Sequence, residues 1–155
     1  MSLHGCAEKA ALIFREMSLN EVVLVNLRNQ SPPPLDDFNT VIIGGSVHMG
    51  SIQGKIRKFC DDNEKKLLEK RLGLYLCHMQ EGKTAARQFN EAYSEPLRNH
   101  AVAKGLFGGE FNIDKMDKYE RMLVKKTSGV DNTVSKIDLN AIEGFGKVIF
   151  RLDQT

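Results

Sequence analysis

What this chain lacks narrows it first. It has three cysteines, Cys6, Cys60 and Cys77, an odd number with no close pair along 155 residues. That usage favours neither a disulfide framework nor a zinc site, and it predicts small buried thiols in a reduced, cytoplasmic protein. No apolar run approaches the ~20 residues needed to span a bilayer. The N-terminal residues do not show the charged, apolar and cleavage-site succession of a signal peptide. The net charge of +2, with both signs interspersed, gives no electrostatic basis for a nucleic-acid partner. The sequence contains no internal repeat, low-complexity tract or interdomain linker, and its length suits one domain (residues 1–155) with a sizeable core.

What is present is organised around residues 41–50, VIIGGSVHMG. The run Val41, Ile42, Ile43 is short, apolar and β-branched, as in a buried strand, and it leads into a loop with three glycines, a serine and a histidine. Residues 55–68 follow with Ile56, Phe59, Cys60, Leu67 and Leu68 at helical spacing. Strand, polar Gly-rich loop and helix in succession form the local pattern of an α/β ligand site, where ligands lie beyond the carboxyl ends of parallel strands.

The remaining chain repeats the theme. Residues 5–18 read as a helix with Ala7, Ala10, Ala11, Phe14 and Met17 on one face, small enough to lie close to a sheet. Residues 21–27 read as a strand covered on both faces, since Val22, Val23, Leu24 and Val25 are continuous. Pro32, Pro33 and Pro34 make residues 28–38 an extended surface connection. Residues 72–77 form the next strand, ending in the loop 78–82. A helix covers 84–93, Pro96 marks a break or new turn, and a strand at 101–107 ends in Gly108, Gly109 and Glu110. Residues 114–126 have a helical pattern with Met116, Tyr119, Met122 and Leu123 on one side, and 127–136 read as a polar loop. Asp138 is the expected N-cap of a closing helix over 139–152, with Ile142, Phe145, Ile149 and Phe150 inward. Alternation of this kind predicts an α/β fold, a parallel sheet with helices on both faces. The start of the first helix could meet a phosphate with its N–H groups and positive end.

With these stretches laid out, the chain resembles the flavodoxin-like family. It is most similar to the bacterial flavodoxin-domain proteins related to menaquinone-dependent protoporphyrinogen dehydrogenases. The resemblance rests on residues 4–9 (HGCAEK), residues 41–50, Gly108-Gly109-Glu110, and the basic and aromatic segment 115–126 with Lys115, Lys118, Tyr119, Arg121, Lys125 and Lys126. It implies a flavodoxin-like three-layer sandwich, FMN as cofactor, and oxidoreductase or electron-transfer activity, with porphyrinogen oxidation by a quinone as one form. The implied cofactor residues are Leu3, His4, Gly5, Cys6 and Ala7 at the phosphate loop, and Ser46, Val47, His48, Met49 and Gly50 beside phosphate and flavin. Cys77, His78, Met79 and Gly82, together with Gly108, Gly109 and Glu110, would frame the isoalloxazine. Implied partners are a redox protein or a quinone- or porphyrinogen-type small molecule, with peripheral membrane contact through 115–126.

Two departures from the family pattern stand out. Ala7 occupies the place of a usual threonine, which removes a hydroxyl donor. Only three residues precede His4 where the family has its first, central strand, so the chain is expected to be N-terminally truncated relative to the family. Residues 21–27 are then expected either to close up against 40–44 or to leave an edge that pairs with a second copy. Both departures also support a cofactor-free or binding-defective α/β interaction module as an alternative. For single residues the bland readings are a solvated loop for His48 and His78, surface carboxylates for Glu81 and Glu110, and a buried strand-end thiol for Cys77. No His, Cys and Asp spacing suggests a metal.

Overall fold

A computed structural model describes residues 5–48, 51–78, 82–111, 134, 135 and 137–151. Helix α1 (Cys6–Met17) has no proline or glycine within it and buries Cys6, Ala7, Ala10 and Phe14 on one face, close to the sequence expectation. After a short 3-10 turn at Leu35–Asp37 come β1 (Thr40–His48), β2 (Ser51–Ile52), α2 (Gly54–Leu67) and β3 (Arg71–Cys77). They are followed by α3 (Gly82–Ala92), α4 (Glu95–His100), β4 (Ala103–Leu106), β5 (Glu110–Phe111), β6 (Val134–Ser135) and α5 (Leu139–Ile149).

The main sheet has the order β2-β1-β3-β4. β1, β3 and β4 are parallel, with Ile43 opposite Leu74 and Tyr75 opposite Gly105, while β2 folds back antiparallel on the end of β1. Strand β3 shows why helices cover both faces. Its side chains alternate: Leu72, Leu74 and Leu76 enter a core with Ile43, Ile56, Cys60, Phe89, Tyr93 and Leu97, whereas Tyr75 and Cys77 enter another with Ala10, Phe14, Phe107, Ile142 and Phe145. The first core belongs to α2, α3 and α4, and the second to α1 and α5. A buried leucine of this kind contributes on the order of 1.5–3 kcal/mol. The α/β three-layer fold read from the sequence is therefore observed.

Ends are fixed locally. The Asp138 carboxylate accepts from the Ala141 N–H at 2.9 Å, the cap expected for α5. Arg71 donates to the carbonyls of Val148 and Ile149 at 2.7 and 2.9 Å, satisfying the last turn of α5 and tying it to the start of β3.

Two expectations are corrected. Residues 21–26 carry no strand, and β1 pairs only with β2 and β3 among the described residues, so the predicted closure of 21–27 against 40–44 does not occur. Among the described residues the apolar run has no strand neighbour, and Val23 is half exposed rather than covered. A strand requires a partner backbone as well as β-branched side chains. Pro96 lies in the first turn of a new helix, with Ser94 as its N-cap, in keeping with the break or new turn expected there. Finally, 127–136 is not all loop, because Val134 pairs with Phe111 and Ser135 with Glu110. The helix expected at 114–126 lies outside the described residues.

Candidate functional site at the carboxyl edge of the sheet

The parallel strands β1, β3 and β4 all end at one edge, and α1 begins there. Several bonds hold its first turn in place. The Tyr75 phenol donates to the Ala7 carbonyl at 2.8 Å, and Cys6 is joined to Cys77 by a disulfide with a Cα–Cα distance of 6.2 Å. Cys6 Sγ also lies 3.6 Å from the Gly108 carbonyl oxygen; because the sulfur is oxidised, this is a van der Waals contact without a proton. The disulfide corrects the expectation of isolated thiols. Seventy-one positions separate the two cysteines along the chain, yet the parallel crossover returns β3 to the start of α1.

Backbone bonds join the loops of this edge to one another. The His78 N–H donates to the Gly108 carbonyl at 2.7 Å, and the Asp138 N–H donates to the Phe107 carbonyl at 2.8 Å. Three glycines here, Gly5, Gly82 and Gly108, have φ of 99°, 62° and 72°, the left-handed region that a side chain disfavours. These glycines were marked in the sequence by their loops, and their conformation supplies the physical reason for them.

The sequence-derived residues are not equivalent. Gly5, Cys6, Ala7, Cys77, His78, Gly108 and Gly109 come together at the edge, Ser46 pairs opposite Cys77 where the parallel β1–β3 ladder ends, and Gly82 opens α3. Val47 instead packs against the leucine-rich core. Ala7 is 1% exposed, so its methyl is interior packing and its carbonyl, not its side chain, makes the polar bond. His78 is 8% exposed, which replaces the solvated-loop reading with a buried imidazole. His48 and Glu110 lie in β1 and β5, whereas Leu3, His4, Met49, Gly50, Met79 and Glu81 lie outside the described residues.

Sequence reasoning missed Gln53. It occupies the N-cap position of α2, but its side chain does not cap the helix; the side-chain amide oxygen instead accepts from the Ser46 N–H at 3.1 Å. Its amide Nε2 is buried with no partner among the described residues. A glutamine just before a helix carries no distinctive sequence signal, and only the β1–β2 hairpin brings it to Ser46.

A parallel sheet covered on both faces, with a helix start and Gly-bearing loops assembled at its carboxyl edge, defines an α/β domain of the open-sheet type. The model of the Flavodoxin domain family matches residues 1–136, and the chain belongs to that family. No match was found among curated proteins. The β1-β3-β4 order corresponds to the last three positions of the flavodoxin-like order 2-1-3-4-5.

Proposed function

We propose that this flavodoxin domain binds FMN at the carboxyl edge of its sheet and serves in electron transfer. One observation supports the reading: the first turn of α1 is fastened to β3, through Ala7 with Tyr75 and through Cys6 with Cys77 at the strand's end, which sets its N–H groups and positive end beside the Gly-bearing loops. The residues present fit the group. The α1 start at Gly5 and Cys6 and the amide of Gln53 beside Ser46 are donors suited to a phosphate dianion. The backbone around His78, Gly108 and Gly109 would frame the ring. FMN supplies the redox chemistry when bound, and the protein contributes binding, orientation and electrostatics.

The finer reading is oxidation of a porphyrinogen-type substrate with a quinone acceptor. It rests on the family resemblance and on the basic, aromatic composition of residues 115–126, which would also give peripheral membrane contact. A cofactor-free interaction module is the second reading, favoured by Ala7, which offers no hydroxyl, and by the unpaired run at 21–26.

Titration of FMN with the purified protein, followed by flavin fluorescence, separates the two. Saturable 1:1 quenching is expected. Unchanged fluorescence with a protein whose circular dichroism shows the α/β fold would replace the flavin reading with the interaction module.

A further inference from the structure

We propose that Cys6 and Cys77 form a reversible redox site, at which a low-molecular-weight thiol opens and closes the link between the start of α1 and the end of β3. The inference concerns the same sheet edge but does not depend on FMN binding.

The two sulfurs differ in surroundings. Cys6 is the first residue of α1, where the positive end of the helix favours a thiolate; Cys77 is the last residue of a buried strand. A thiolate stabilised in this way is the better leaving group. External thiolate therefore attacks Cys77 Sγ, the S–S bond breaks, and the electron pair departs on Cys6, which takes up a proton from water. A second thiol attacks the mixed disulfide, releasing Cys77 as a thiol and leaving a small-molecule disulfide. Two external thiols are oxidised, two electrons enter the protein, and two cysteine thiols result.

The position makes the link consequential. Both residues are nearly fully buried, at 3% and 2% exposure, so exchange requires the first turn of α1 to move away. Gly5, the N-cap of that helix, has no side chain with which to cap it, and the Tyr75 phenol bonds the same turn at the Ala7 carbonyl. Cys60 provides an internal contrast. It is a free, buried thiol within α2, held in the protonated form by burial and by Asp61 and Glu64 nearby.

The test uses the whole chain equilibrated with mixtures of reduced and oxidised glutathione. Thiols are counted by maleimide mass shift after denaturation, and amide exchange is followed in α1. Under oxidising conditions one alkylated cysteine and a linked Cys6–Cys77 peptide are expected; under reducing conditions, three alkylated cysteines. Exchange in the first turn of α1 should be at least tenfold faster in the reduced form, while β3 is unchanged. Cys6→Ser and Cys77→Ser should show the fast exchange in both buffers. If they do not fold, the wild-type titration alone decides. Three free thiols in oxidised glutathione, a link that survives 10-fold excess of reduced glutathione in the native protein, or identical α1 exchange in both states would each overturn the proposal.

Discussion

The phenol of Tyr75 reaches across from the middle of β3 to the Ala7 carbonyl, 2.8 Å away, and its own backbone carbonyl accepts the Tyr93 phenol at 2.6 Å from the opposite face. One residue thus ties together α1, the sheet and the segment that follows α3. Tyr75→Phe retains the ring stacked on Phe107 at 4.9 Å but loses the bond to α1. The expected loss is about 1 kcal/mol, or roughly 2–4 °C in Tm. Differential scanning calorimetry checks it, and an unchanged Tm would show that the bond does not fasten α1.

Gly44 faces the same ring. A Cβ at this position would overlap the Tyr75 side chain, and both strands are fixed by pairing. Gly44→Ala should cost about 1–3 kcal/mol by overpacking. Gly144, within α5, meets nothing within 4 Å, so Gly144→Ala should instead stabilise by about 0.5–1 kcal/mol. Urea midpoints of the two variants should move in opposite directions.

Burial pushes the Cys60 thiol up from 9.0 to about 12, aided by the charges of Asp61 and Glu64, and it raises the Tyr75 and Tyr93 phenols as well. A raised pKa means that the folded state retains protons which the unfolded state loses. Stability from this source is fully present below pH 9 and declines as pH rises toward 12, by up to about 1.4 kcal/mol per pH unit for each group. Denaturation at a series of pH values should show this decline, and Cys60→Ala should make it shallower.

Residues 21–26 give a sharp contrast with the core. Val23 is 49% exposed in an unpaired segment, whereas Leu74 is fully buried in β3. Val23→Lys should change stability by no more than about 0.5 kcal/mol, while Leu74→Ala should cost about 2–5 kcal/mol. A large penalty at Val23 would mean that this run is covered in solution.

How much of the fold was legible depends on what each signal measures. Periodicity reports a buried face, so α1, α2, α3 and α5 and the strands β1, β3 and β4 could be read from Phe14, Ile56, Phe89, Ile142 and the runs through Ile43, Leu74 and Ala103. Hydrogen-bond partners leave no such trace. The run at Val22 to Val25 has the composition of a strand but no strand neighbour among the described residues, and the two-residue pairing of β5 with β6 is too short to show a period. The site was legible where glycines marked its loops. It was not legible at Gln53, whose role comes from the turn between β1 and β2, or at Cys6 and Cys77, whose proximity is created by the crossover.

The most direct measurement is amide chemical-shift mapping of the isotope-labelled protein during FMN titration. The account predicts saturable shifts concentrated at Gly5 to Lys9, Ser46, Gln53, His78, Gly108 and Gly109, with the opposite end of the sheet, around Thr40, Arg71 and Ala103, unmoved. Shifts scattered over the surface, or none at saturating FMN, would contradict the placement of a flavin at this edge.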